Sequence, residues 1–164
     1  MISVLLCVRN GEGYIRAAIQ SVLDQTYKDF ELIIVVNGST DMTLNIANSY
    51  EDPRVRVYQT EIQQLTYNLN FALNVSEGSY IARIDADDVM KSERLGKQFS
   101  LLNQNEADVV GSSMEVIDSS GRKTGQIIGF PVTDSLIRKK IWYRWVIAHP
   151  ELLRRMSVLL RAGG

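Results

Sequence analysis

Three carboxylates stand within four residues at Asp85-Ala86-Asp87-Asp88, directly after the apolar run Ile81-Ala82-Arg83-Ile84. Along an extended segment side chains alternate, so Asp85 and Asp87 point one way and Asp88 the other. Two carboxylates held together with no protein cation between them repel and raise each other's pKa. A hard divalent ion, Mg²⁺ or Mn²⁺, relieves that repulsion, above all when it also bridges substrate phosphates. The competing structural use is capping: Asp88 or Ser92 can cap a helix opening near Glu93.

The surrounding pattern says what positions these groups. Residues 2–8 form a short apolar run, and Tyr14, Ile15, Ala18, Ile19, Val22 and Leu23 then recur at helical spacing. Residues 30–36 are a second apolar strand, rich in β-branched side chains. Asn37-Gly38-Ser39-Thr40-Asp41 reads as a turn and N-cap, opening a helix to about Tyr50 that Pro53 ends. Strands are expected at 55–58, 80–84, near 108–117 and at 126–130, with helices around Leu65–Leu73 and over 94–102. The fold class is therefore α/β, a mostly parallel twisted sheet with helices on both faces. In such sheets ligands bind beyond the carboxyl ends of the strands. Arg9-Asn10-Gly11-Glu12, Asn37-Gly38-Ser39-Thr40-Asp41 and Asp85-Ala86-Asp87-Asp88 would all lie on that rim.

A chain of 164 residues is expected to make one domain, spanning 1–164. A net charge of −1 gives no global field for nucleic acid, and 45% hydrophobic with 23% charged residues fits neither a disordered nor a fibrous protein. The apolar runs are far shorter than the roughly 18 residues of a membrane span, and no basic region precedes the first one. The lone Cys7 cannot form an internal disulfide, which fits a reducing compartment. Charge is uneven, however. Arg138, Lys139, Lys140, Arg144, Arg154, Arg155 and Arg161 face Glu151 alone in residues 135–164. That segment is either a solvated face or a surface for anionic headgroups, with Trp142, Tyr143 and Trp145 as interfacial aromatics.

In order and spacing, these pieces resemble family 2 glycosyltransferases of the GT-A fold, a Rossmann-like nucleotide-diphosphate-sugar-binding architecture. The resemblance runs through Ser3-Val4-Leu5-Leu6 into Arg9-Asn10-Gly11-Glu12, then Ser21 to Tyr27, then Phe30 to Asp41. It continues through Leu69-Asn70, Gly78 to Asp88, Glu93-Arg94-Leu95 with Gln98, Val110-Gly111-Ser112 and Val116-Ile117-Asp118. His149-Pro150, Arg154-Arg155 and Gly163-Gly164 extend it almost to the end of the chain.

The resemblance implies transfer of a sugar from a nucleotide-diphosphate donor, UDP-sugar favoured, to a glycan or lipid-linked acceptor, with inversion. Asp85-Ala86-Asp87 matches the family's Asp-x-Asp motif, Asp87 binding Mn²⁺ or Mg²⁺ most directly and Asp85 reaching the ribose or the metal's water shell. Val8, Arg9, Asn10, Glu12, Asn37, Leu65, Thr66, Arg83 and Ala86 join them as nucleotide-sugar contacts, and His149 is the acceptor-side candidate. Residues 1–118 would form the donor-binding part and 119–164 the start of the acceptor side. The acidic catalytic base is expected beyond Gly164, so the chain reads as truncated before that segment. Cytoplasmic work in bacterial surface-glycan assembly follows by the same analogy, while contact with the inner face of the membrane rests on the basic 138–161 segment alone. Many relatives carry Pro, Tyr and two Asp where Cys7, Arg9, Val36 and Asn37 stand, which bears on the choice of base.

Two other functions fit parts of the pattern. Asp85 to Val89 also matches the nucleophile-and-acid pair of a phosphatase of the haloacid-dehalogenase type, although such enzymes place it on their first strand. A non-catalytic nucleotide-sugar-binding module needs no base at all.

Overall fold

The computed structural model describes residues 1–104, 107–131, 133–140, 150 and 152–162. The first half alternates strand and helix: β1 (Ile2–Val8), α1 (Ile15–Leu23), β2 (Phe30–Asn37), α2 (Thr43–Asn48), β3 (Val55–Thr60), α3 (Leu65–Asn74), β4 (Tyr80–Arg83) and α4 (Arg94–Gln104). Then follow β5 (Val109–Val110), β6 (Met114–Ile117), β7 (Lys123–Ile128), α5 (Asp134–Lys140), β8 (Leu153–Arg155) and α6 (Met156–Ala162).

The main sheet has six strands in the order β3-β2-β1-β4-β8-β5. Pairings among β3, β2, β1 and β4 are parallel, whereas β8 runs antiparallel to both β4 and β5. The expected α/β class and mostly parallel sheet are what the molecule shows. β1 and β2 are apolar on both sides because helices cover both faces. Ile2, Val4, Leu6 and Val8 pack with α1, α2 and α4, while Leu5, Ile33, Val35 and Ile81 pack with α3 and α6. Each such fully buried aliphatic side chain contributes roughly 1.5–3 kcal/mol, so these two strands carry much of the stability.

A polar cluster ties down the rim opposite the candidate site. Ser3 Oγ donates to Glu31 at 2.6 Å, Arg56 to the other Glu31 oxygen at 2.6 Å, and the Glu77 N–H to Glu31 at 2.7 Å. Burial opposes the charge on Glu31, yet these donors outweigh it and hold its carboxyl below the ordinary range.

Several boundaries differ from the sequence reading. Residues 108–117 do not form one strand. Gly111-Ser112-Ser113 separates β5, an edge of the main sheet, from β6, which pairs with β7 as a separate two-stranded sheet. The strand placed at 126–130 accordingly starts earlier, at Lys123. β8 escaped notice because two of its three residues are arginines, which mask a strand signal that Leu153 alone carries. In the basic 138–161 segment Arg138, Lys139 and Arg161 are exposed, while Arg154 and Arg155 sit half-buried in β8. Trp142, Tyr143, Arg144, Trp145, His149, Glu151 and Gly163-Gly164 lie outside the described residues. Among the described residues no helix is long and apolar enough to cross a membrane.

Candidate functional site

The chain builds β1, β2 and β3 in one direction and then crosses back to add β4 on the other side of β1. That reversal opens a crevice outside the carboxyl ends of β1 and β4, the place where open α/β sheets take ligands. The loop after β1 and the Asp85–Asp88 turn meet there. A Cβ on Gly11 would stand 2.6 Å from Val8 Cγ2, so glycine lets the loop fold back on the end of β1, while Ala86 Cβ of the other loop lies at an ordinary contact distance of 3.7 Å.

The loops after β1 and β2 are stitched to each other. The Asn10 N–H donates to Ser39 Oγ at 3.0 Å, and Asn10 Oδ1 accepts the Thr40 N–H at 2.9 Å. The Gly11 N–H donates to Thr43 Oγ1 at 2.9 Å, and the Glu12 N–H to Asp41 Oδ2 at 3.1 Å. Glu12 Oε2 returns the contact by accepting the Met42 N–H at 2.9 Å. Asn10 holds φ at 50°, a left-handed conformation that asparagine tolerates better than most residues. Asn10 and Glu12, expected as ligand contacts, also shape the rim by bonding across it. Asp41, one residue ahead of the N-cap position of α2, accepts the Thr43 N–H at 3.0 Å and the Thr43 hydroxyl. Those bonds, the Thr43 hydroxyl first, keep its carboxyl below the ordinary range.

The other expected donor contacts surround the same rim. Val8 is buried at the end of β1, with Arg9 exposed just beyond it. Asn37 is buried and pairs with Thr60, extending β3 past the expected Tyr58. The Gly38 N–H donates to the Thr60 carbonyl at 2.8 Å, and Gln63 folds over Gly38, whose φ is +60°. Leu65 and Thr66 are exposed at the start of α3, held by Asn68, which donates to the carbonyls of Ile62 and Gln64.

In the carboxylate cluster Asp87 is exposed while Asp85 and Ala86 are half-buried, and the Asp88 N–H closes the turn onto the Asp85 carbonyl at 3.1 Å. Arg83 Nη2 donates to Asp85 Oδ1 at 2.6 Å. The expectation of two carboxylates with no protein cation beside them is thus corrected. Asp85 has its own counter-charge.

Cys7 lies on the same sheet face as Arg83. Burial pushes its thiol up to about 12, with Arg83 lowering and Asp85 raising it by smaller amounts.

The segment after the turn is anchored by residues to which the sequence reading gave no role beyond the family match. Gln25 is fully buried; its Nε2 donates to the Ser21 and Lys91 carbonyls at 3.1 and 2.8 Å, and its Oε1 accepts the Leu95 N–H at 3.0 Å. Ser21 Oγ accepts the Met90 N–H at 3.0 Å. The amide of Leu95 near the start of α4 is thus satisfied from α1. Arg94 donates to the Arg83 carbonyl at 3.2 Å and the Pro150 carbonyl at 2.7 Å, fixing the end of β4. The legible signal was polar Ser21 and Gln25 lying in phase with the buried stripe of α1. Beside Asp88, a groove of about 480 Å³ opens between α4 and the β6–β7 hairpin, bordered by Val89, Leu101 and Met114.

Among the described residues no group of three or more His, Cys, Asp and Glu could hold a metal ion by itself. A magnesium-type cation does not require one, since it is commonly held by one or two carboxylates plus substrate phosphates. Exposed Asp87 with Asp85 behind it fits that pattern.

The family profile described as Glycosyl transferase family 2 matches residues 3–159. The O-antigen biosynthesis glycosyltransferase WbnJ of Escherichia coli is 36% identical over 167 residues, covering 100% of this chain and 65% of the relative. An uncharacterized glycosyltransferase of Haemophilus influenzae is 31% identical over 169 residues, covering 96% and 52%. The chain thus spans about half to two-thirds of the length of these relatives. In structure it resembles Staphylococcus aureus TarS 1-349 in complex with UDP-GlcNAc, with a TM-score of 0.77, 23% identity, and 98% and 47% of the two chains covered. It also resembles the mannosyltransferase PcManGT of Pyrobaculum calidifontis in complex with GDP-Man and Mn²⁺, with a TM-score of 0.74, 18% identity, and 99% and 46% covered. At those identities the two structures speak for the shared GT-A fold alone. On its sequence and its architecture together, the chain belongs to glycosyltransferase family 2.

Proposed function

We propose that the rim formed by the ends of β1, β2 and β4 binds a nucleotide-diphosphate sugar, UDP-linked in preference, for inverting transfer to a glycan or lipid-linked acceptor. The observation that carries this reading is the exposed Asp87 at the topological switch point, beside an Asp85 already balanced by Arg83. The buried Asn37 and the start of α3 at Leu65 and Thr66 would bound the base, and Arg9 would lie along the phosphates. Asp87, backed by Asp85, would hold Mg²⁺ or Mn²⁺, which supplies Lewis-acid stabilisation of the charge on the departing diphosphate. The groove beside Asp88 offers an acceptor approach on the α4 side. The acceptor hydroxyl needs a carboxylate to take its proton. We assign that base to the portion of the longer relatives that this chain does not span.

Work in surface-glycan assembly on the cytoplasmic side of a membrane is part of this reading, with exposed Arg138 and Lys139 as the headgroup contacts. Neutralising both should weaken binding to anionic liposomes.

Incubation with UDP-sugars tests the core of the proposal. Slow release of UDP that requires Mn²⁺ or Mg²⁺ and is lost in Asp87→Ala is the expected result. Phosphate release from a generic monoester would instead favour the phosphatase chemistry. Metal-dependent binding without any turnover, even when the remaining portion of a longer relative is joined to the chain, would favour a binding module.

A further inference from the structure

Two arginines from neighbouring strands share one sheet face next to the Asp85 rim. In the antiparallel pairing of β4 with β8, Arg154 stands opposite Ile81. Residues two apart on a strand share a face, so Arg83 points to the same side as Ile81, the side covered by α3 and α6. Arg83 is therefore the diagonal neighbour of Arg154, at roughly 7–8 Å between backbones.

Their surroundings supply too little negative charge. Arg83 shares Asp85, but Arg154 Nε is buried with no hydrogen-bond partner, and among the described residues none accepts from its guanidinium. Burial first, then the like charge of Arg83, holds the Arg154 pKa below the ordinary arginine value. Arg155, next in the chain, shows the contrast. It donates to the Ala107 and Leu102 carbonyls and lies 5.6 Å from the Tyr80 ring centroid. A half-buried guanidinium without an acceptor lowers stability, and it persists most readily where a ligand supplies the missing oxygen atoms.

We propose that Arg83 and Arg154 form an anion site beneath Asp85 that takes an oxyanion of the sugar donor. This rests on the donor-site reading of the rim. The oxyanion comes either from the terminal phosphate of the diphosphate or from the carboxylate of an acidic sugar ring. Both are planar or tetrahedral oxygen groups that a guanidinium pair grips through paired N–H donors.

The test uses the whole chain and begins with inorganic pyrophosphate in EDTA, read as melting temperature. Pyrophosphate should raise the Tm of the wild type in a dose-dependent way. Arg154→Met should abolish that rise while melting, without anion, at or above the wild-type temperature. Arg154→Lys should restore part of the response, and Arg154→Gln replaces Met if the Met variant does not fold. Titration with Mg²⁺ then separates the sources. Tenfold or greater weakening of UDP itself in Arg154→Met assigns the phosphate. Weakening confined to UDP-glucuronate, with UDP and UDP-glucose unchanged, assigns the sugar carboxylate. A wild-type chain that ignores UDP yet keeps an Arg154-dependent pyrophosphate response would sink the donor reading and leave the anion site standing. No pyrophosphate response in the wild type, or the same response in Arg154→Met, overturns the proposal.

Discussion

Arg83 Nη2 lies 2.6 Å from Asp85 Oδ1, and this contact makes the two outer aspartates of the Asp85-Ala86-Asp87 run inequivalent. Asp85 is 36% exposed and charge-balanced, whereas Asp87 is exposed. On the proposed function, a cation arriving with a diphosphate would meet one carboxylate in front and one already paired with Arg83 behind it.

Asp87→Asn should therefore remove metal-dependent UDP binding altogether. Asp85→Asn should weaken it by roughly 10–100-fold, the usual effect of losing a supporting group rather than a ligand. Mn²⁺ titrations at saturating UDP separate the two variants. The reverse ranking would mean that Asp85 is the ligand and that Arg83 leaves it when the donor binds.

Gln25→Ala should destabilise the fold by about 2–3 kcal/mol, because it leaves the Leu95 amide and the Lys91 carbonyl without their partner in a buried setting. Urea unfolding measures this directly. Since Gln25 holds the segment after the Asp85–Asp88 turn, nucleotide binding should weaken as well, and Gln25→Glu, which keeps the Leu95 contact but turns an acceptor oxygen onto the Ser21 and Lys91 carbonyls, should recover none of the stability.

Glu31 links stability to pH. Its folded-state pKa lies below the ordinary 4.5, so its contribution is complete above that value and is lost as pH falls through the lower folded value. Glu31→Gln should cost about 2 kcal/mol at neutral pH, a figure discounted because Arg56 is 31% exposed. The stability difference between wild type and variant should shrink below pH 4.5. A difference that stays constant down to pH 3 would contradict the role given to the Ser3, Arg56 and Glu77 contacts.

Cys7 should resist alkylation. With its thiol pushed up to about 12, almost none is thiolate at pH 8, and burial hinders access as well. Iodoacetamide labelling followed by mass spectrometry should show modification only after denaturant is added. Rapid labelling of the native chain would mean that the β1 end opens far more than its packing implies.

The alternation of strand and helix through α4 was legible because β1 and β2 are long, nearly pure apolar strands and α1 carries a clear apolar stripe at helical spacing. Ile33, Ile34, Val35 and Val36 admit little but a central strand. The candidate rim was legible for a related reason, since polar clusters following apolar strands mark loops at one edge of a parallel sheet. What escaped were features set by partners distant in the chain. β8 is three residues long and defined by its slot between β4 and β5. The Arg83–Asp85 contact pairs two residues that were both read as donor contacts, with no counter-charge foreseen between them. The bonds that Asn10 and Glu12 make across to residues 39–42 also escaped, because spacing reveals a polar residue but not the partners it takes.

Calorimetric titration of UDP into the chain, with and without Mn²⁺, bears most directly on the donor site. Saturable heat that requires Mn²⁺ and vanishes in Asp87→Ala is the predicted result. No heat with Mn²⁺ present, or equal heat in Asp87→Ala, would contradict the assignment of this rim to a metal-bridged nucleotide diphosphate.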